Sequence, residues 1–267
     1  MKAGKKALIM SAVAVLVTLL LPALKGVVSM NLTHISTDIA HAQALDELYP
    51  VETFKAWPEV GGEVAIADPL QPFNQAMFKV NDRLYFWFLK PVGKAYAKII
   101  PETGRIGLRN AFYNFLFPVR FVNNILQLKI KRAGAETARF VLNSTFGFAG
   151  FYDFVGKQCT AKLGPYDEDF GQTLGFYGMK PIFYVVWPVI GPSSLRDSFG
   201  LVGDAFADPT FYLPIPWYGV GGIKALQQFN AVSLRLGEYE DFLKVSLDPY
   251  VAMRNAYIQY RENLVKE

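Results

Sequence analysis

Asp167, Glu168 and Asp169 are three consecutive carboxylates, the kind of group that could do acid–base chemistry in pairs or hold a divalent cation among further oxygen ligands. Adjacent side chains point in different directions, however, and no partner base lies nearby in sequence. The alternating oxygen positions of a calcium loop around a central glycine are missing too, so the run reads as a solvated turn. Gly219, Gly221 and Gly222 come nearest to a phosphate-cradling loop, but they lack the third glycine spacing and the Lys-Ser/Thr ending, and they read as a turn. The two histidines, His34 and His41, fall in or beside a segment that reads as removable. A domain without histidine has no His-based triad, zinc site or imidazole base. Cys159 is the only cysteine, so no internal disulfide forms. It reads as an incidental free thiol, with intermolecular pairing as the alternative. Nothing here argues for an enzyme, and no cofactor or metal is expected.

The chemistry therefore has to come from the elements. Met1, Lys2, Lys5 and Lys6 precede an uncharged run from Ala7 to Leu24, the order of a secretory signal. That run falls short of the roughly 20 residues of a full span, although an uncleaved anchor stays open. Cleavage fits after Ser29 or after Ala42 in Ala40-His41-Ala42. The expected organisation is a signal peptide over 1–42, an extended arm over 43–67 carrying Pro50, Pro58, Gly61 and Gly62, and one domain over 68–267. Residues 1–42 hold four of the 27 basic and one of the 23 acidic residues, so the remainder is nearly neutral. No general electrostatic pull toward nucleic acid remains. A local cluster, Lys129, Lys131, Arg132 and Arg139, fits either anionic headgroups or a solvated helix face.

The apolar content is high, with 52% hydrophobic and 15% aromatic residues, yet the exported part contains no stretch that spans a bilayer. A lipid interface is the expected home. Asp68-Pro69 has the form of a helix start, with the carboxylate as cap. Leu70, Phe73, Met77, Val80, Leu84 and Trp87 then recur at helical spacing until Lys90-Pro91, where the pattern is expected to break. The stripe faces either the core or acyl chains. Asp248-Pro249 repeats the grammar before Tyr250, Met253, Tyr257, Tyr260 and Leu264, a tyrosine seam suited to a boundary between lipid and water. Segments 119–128 and 134–145 are compatible with helices. The stretch PIFYVVWPVI (181–190) is too short to span; it reads as buried or membrane-dipping, with a buried strand as the alternative. No evenly spaced barrel alternation appears. The fold class is mostly α.

Polar side chains interrupt this apolar chain at Asp169, Gln172, Thr173, Arg196 and Asp197. Buried polar groups are costly unless paired, so these residues are expected to brace backbone geometry, and Arg196 and Asp197 need not pair with each other. In order along the chain stand DPLQPFNQAMFKVND (68–82), RNAFYNF and PVRFVNNILQ (within 109–127), RFVLNSTFGFAGFYD (139–153), EDFGQTLGFYG (168–178), GPSSLRDSFG (191–200) and DPYVAMRNAYIQYR (248–261). This series resembles the MlaA (VacJ) family of outer-membrane phospholipid-removal proteins over about Asp68 to Leu264.

The resemblance implies a ring of amphipathic helices around a central polar channel, embedded in the inner leaflet of the outer membrane on its periplasmic side. It implies removal of mislocalised phospholipids from the outer leaflet and their delivery to a periplasmic lipid-carrier protein. It also implies association with an outer-membrane porin trimer. Phe73, Asn74, Gln172 and Thr173 are the expected lipid-path residues, and Asp68, Asp169, Gly171, Gly175, Arg196 and Asp197 the expected structural motif. The chain departs from the family in lacking a cysteine after the signal, so lipidation is not evident. Two rival readings are a non-transporting structural envelope protein and a lipid-modifying hydrolase.

Overall fold

Pro91 does not end the first helix. In the computed structural model, which describes residues 66–159 and 163–267, α1 (Gln71–Leu84) runs through a π-helical turn (Tyr85–Leu89) into α2 (Lys90–Ile99). The Lys90 amide donates to the Tyr85 carbonyl, five residues back. This wider turn changes the hydrogen-bond register immediately before the residue that has no N–H to give, and so absorbs the proline. The expected break is thus a bulge. Asp68 does not cap α1 with its side chain either. Its carboxylate accepts from Asn74 Nδ2 at 2.8 Å, from Arg254 at 3.4 Å and from the Tyr250 hydroxyl, tying α1 to the C-terminal helix.

The order continues with α3 (Glu102–Phe115), α4 (Phe117–Leu126), α5 (Ile130–Phe146), the short α6 (Phe154–Gln158) and α7 (Phe170–Phe176). A two-stranded antiparallel hairpin, β1 (Tyr184–Trp187) and β2 (Gly191–Ser194), feeds α8 (Leu195–Ala207), with Tyr184 opposite Ser194. A 3-10 turn (Pro209–Tyr212), α9 (Trp217–Leu234), α10 (Glu238–Val245) and α11 (Pro249–Lys266) follow. The described part is mostly α, as its periodicity indicates. The 181–190 stretch resolves into the buried-strand alternative: Tyr184, Val185 and Val186 are buried, while Val189 and Ile190 at the tip are exposed. The Gly219–Gly222 run lies inside α9 and is no turn. The signal segment and nearly all of the 43–67 arm lie outside the described residues; at its end, Ala67 bridges Phe183 in parallel.

A small apolar core forms where the hairpin meets α1 and α11. Tyr184, Val186, Tyr250 and Ile258 are buried there, with Met77, Phe78, Val251 and Tyr257 packed against them. Asp248 caps α11 by accepting from the amides of Tyr250 and Val251. The tyrosine seam of α11 turns inward in place of marking a lipid–water boundary. Tyr250 reaches Asp68, and the Tyr257 hydroxyl donates to Asp197 at 2.9 Å. Phenol groups supply both the apolar bulk and the donors that the buried carboxylates need.

Elsewhere the usual sidedness of helices is reversed. On α4, Arg120, Asn123 and Asn124 are buried while Val122, Ile125 and Leu126 are exposed. On α5, Glu136, Arg139 and Asn143 face inward and Ile130, Val141 and Phe146 face outward. The α1 stripe divides: Leu70, Phe73, Val80 and Trp87 are exposed, Trp87 by 79%, whereas Met77 packs on the apolar core. No helix among the described residues is long and apolar enough to cross a membrane. Helices α3, α4, α8 and α9 form a circuit: α3 packs on α4 and α9, α4 packs on α8, and Lys224 of α9 pairs with Asp208 just after α8.

Candidate functional site: a cavity within the helical circuit

The circuit surrounds a cavity of about 400 Å³. Arg109, Phe112 and Tyr113 enter it from α3, Arg120 from α4, Asp204 from α8, Asp208 from the following turn, and Gln227 and Asn230 from α9; the Asp167–Asp169 segment completes the wall. Arg120 and Asn230 are held by partners behind the wall. Arg120 Nε donates to the fully buried Glu136 at 2.8 Å and Nη1 to the Tyr113 carbonyl at 2.8 Å, and the guanidinium lies 3.6 Å from the Tyr113 ring centre. Glu136 also accepts from the Tyr166 amide at 2.9 Å. Asn230 donates to the Arg105 carbonyl, and Arg105 Nη1 donates to the Ser233 carbonyl at 2.5 Å.

The acidic run is not a solvated turn. Only Asp167 keeps an exposed side chain, 4.0 Å from Arg120. Glu168 is buried and accepts from Lys129 at 2.7 Å, Arg132 at 3.0 Å and Gln127 at 2.9 Å. That accounts for half of the basic cluster read from the sequence. Arg139, a third member, is buried beside Asp153 at 3.1 Å, and Lys131 is exposed. Asp169 caps α7 through the Gln172 amide at 2.8 Å and accepts both Nη atoms of Arg261. Burial by itself would raise the Asp169 carboxyl, but the Arg261 guanidinium holds it below the ordinary value. Asp197 is lowered on the same balance, with Arg261 and then Arg196 outweighing burial.

Arg196 and Asp197 do pair, with Nε to Oδ1 at 3.0 Å. Arg196 extends beside α7 while Arg261 arrives at Asp197 from α11 at 2.8 Å. A second carboxylate charge, on Asp169, makes the two-arginine arrangement stable. Gly171 and Gly175 permit it sterically. A methyl at Gly171 would lie 2.6 Å from Asp197 Oδ1, and one at Gly175 would lie 2.6 Å from Val265 and 3.0 Å from Arg196.

Among the four expected path residues, Phe73 is exposed on the outer face of α1, and Asn74 is fully buried. Asn74 donates to Asp68 and to the Tyr184 carbonyl at 3.0 Å and accepts from the Val186 amide at 2.8 Å. Gln172 and Thr173 are buried behind Asp169: Thr173 donates to Asn123 at 2.8 Å, and Gln172 Nε2 to the Asp167 carbonyl at 2.8 Å. None of the four is among the residues that line the cavity. Of the residues that do, the Asp167–Asp169 run was singled out from the sequence, whereas Arg109, Arg120, Asp204, Gln227 and Asn230 were not, because nothing in the sequence shows which polar residues of separate helices converge. The usable signal was polar residues recurring at helical spacing, as in Arg120, Asn123 and Asn124.

No group of histidine, cysteine, aspartate and glutamate suited to a metal occurs among the described residues. Asp204 Oδ1 accepts from Asn123 Nδ2 and from the Phe170 amide, both at 2.9 Å. Burial, and after it the neighbouring Asp169 charge, push its carboxyl up to about 6.

Comparison with known proteins matches this architecture. The chain is 32% identical over 200 residues to the intermembrane phospholipid transport system lipoprotein MlaA of Haemophilus influenzae, covering 72% of this chain and 76% of the relative. It is 32% identical over 198 residues to the protein of the same name in Escherichia coli K12, with the same coverage, and 31% identical over 206 residues to an uncharacterised protein of Rickettsia conorii, covering 77% and 80%. A solved structure described as the structural basis for maintenance of bacterial outer membrane lipid asymmetry aligns with a TM-score of 0.66 at 30% identity, covering 74% of this chain and 99% of the other. The MlaA lipoprotein family model matches residues 66–264, and the chain belongs to that family.

Proposed function

We propose that this protein is the outer-membrane component of an intermembrane phospholipid transport system, removing mislocalised phospholipids from the outer leaflet and passing them to a periplasmic carrier so that lipid asymmetry is maintained. The observation that carries this reading is the reversed sidedness of α4 and α5, with charges and amides inside and aliphatic side chains outside. In water both features cost free energy; in a bilayer the apolar face is matched by acyl chains, and the polar groups belong around an internal path. A headgroup crosses hydrocarbon only at high cost, and acyl chains leave it at high cost. A cavity that mixes charged and apolar side chains, beside an apolar outer wall, lowers both costs.

Helices too short to span a bilayer fit residence in one leaflet, here the inner leaflet facing the periplasm. Phe206, Phe211, Tyr212, Trp217 and Tyr218 are exposed around the turn between α8 and α9, a grouping that fits the headgroup level. An outer-membrane porin trimer is the proposed lateral partner. The protein acts as a conduit and does no covalent chemistry on lipid. A purely structural envelope protein would need the same apolar faces but no cavity, and the cavity of about 400 Å³ favours transport.

Deleting the gene tests the reading. Phospholipid exposed in the outer leaflet is expected to rise and to return to normal on expression of the wild-type chain. Unchanged exposure would shift the reading to the structural role.

A further inference from the structure

The cavity's charges divide unevenly. Asp208 is paired with Lys224, Glu168 with Lys129 and Arg132, and Asp169 with Arg261. Asp204 has neutral donors only, Asn123 Nδ2 and the Phe170 amide, and both use Oδ1. Its Oδ2 has no donor among the described residues. Arg120 is 7% exposed, and its Nε and Nη1 are engaged with Glu136 and the Tyr113 carbonyl, leaving Nη2 without an acceptor among the described residues. Asp204 Oδ2 and Arg120 Nη2 thus stand open in one cavity to a ligand that carries both signs of charge, with the exposed Asp167, 4.0 Å from Arg120 Nε, as a further negative group on the wall.

We infer that the cavity selects zwitterionic phospholipid headgroups, with the ligand's ammonium on Asp204 Oδ2 and its phosphate on Arg120 Nη2. This deepens the transport reading and rests on it. An anionic headgroup without an ammonium would leave Asp204 facing a second negative group in a partly desolvated space, where like charges repel strongly. Phosphoethanolamine offers three N–H donors to the carboxylate as well as its charge. Asp169 at the start of α7 and Arg261 of α11 are the charged groups acting on Asp204 from the packed elements, and Asn123 of α4 contributes a neutral donor. Acidification below about 6 neutralises Asp204 and removes the basis of selection.

The test uses the full-length protein in detergent micelles containing equal amounts of phosphatidylethanolamine and phosphatidylglycerol, with bound lipid read by native mass spectrometry. The wild type is expected to favour phosphatidylethanolamine by about tenfold, the worth of one charge-assisted hydrogen bond. Asp204→Asn keeps the acceptor for Asn123 and the Phe170 amide and is expected to bring the ratio near one; the wild type at pH 5 should drift the same way. Circular dichroism of the variant checks its fold. Lipid bound without preference, or a preference that survives Asp204→Asn in a folded protein, would overturn the inference while leaving transport standing. No lipid bound by the wild type in any micelle would overturn both.

Discussion

Asn74 is fully buried on α1 and bonds to three groups brought from elsewhere in the chain. Its polarity within an apolar stripe is visible in sequence, but its three partners are not: Asp68, the Tyr184 carbonyl and the Val186 amide come together only when the hairpin folds onto α1. Asn74→Leu strands those groups in a buried setting, and each unsatisfied group costs about 1–3 kcal/mol. The variant should show a clear fall in melting temperature in detergent before any transport defect is considered. Glu136→Gln should be harsher still. It leaves the buried Arg120 charge uncompensated, a loss of about 3–5 kcal/mol, and an unchanged melting temperature would refute the assigned ion pair. Titration gives a third expectation. Asp204 rises from the ordinary 3.8 to about 6 on folding, so the folded state holds more protons between those values and stability declines as pH rises through them. Asp169 and Asp197 are held low and stabilise the fold above their unfolded value, a contribution lost as pH falls through their folded values. The melting temperature should therefore increase from pH 7 to about 5 and decrease below about 4, and Asp204→Asn should abolish the first change while keeping the second.

At the scale of elements, helix existence was legible and helix orientation was not. The spacing from Leu70 to Trp87 identifies α1, and the pattern around 119–128 and 134–145 identifies α4 and α5. Periodicity reports that two faces differ without saying which one meets solvent, so the α1 stripe and the α11 tyrosine seam, alike on paper, end up largely outward and inward, with Met77 of α1 the inward exception. The Pro91 bulge was equally hidden, because the preceding π turn depends on packing around Tyr85 and Tyr239, whose rings lie 4.7 Å apart. Close helix crossings were partly legible through glycine. Gly200 lets α8 meet α7 backbone to backbone, and a methyl there would lie 2.6 Å from the Gly171 amide nitrogen. Gly200→Ala should push the two helices apart at a cost of about 1–3 kcal/mol, seen as a lower melting temperature and weakened protection of the α7 amides in hydrogen exchange.

The whole molecule is an inverted arrangement, in which the described residues bury more polar than apolar side chains and leave Trp87, Phe148, Trp217 and Leu247 largely exposed. Composition alone pointed toward a lipid interface, because 52% hydrophobic residues are hard to reconcile with so small an apolar core. The cavity itself was beyond the sequence, since it is built by a few residues from each of four helices that meet only in the folded circuit. The central claim is that the exposed aliphatic faces lie against acyl chains. It is tested most directly by nitroxide labels placed one at a time at Val122, Val141 and Val202 in a Cys159→Ser background, with the protein reconstituted in phospholipid vesicles. Collisions with dissolved oxygen should dominate over those with a water-soluble nickel complex at all three positions; dominance of the nickel complex there would place these faces in water and contradict the account.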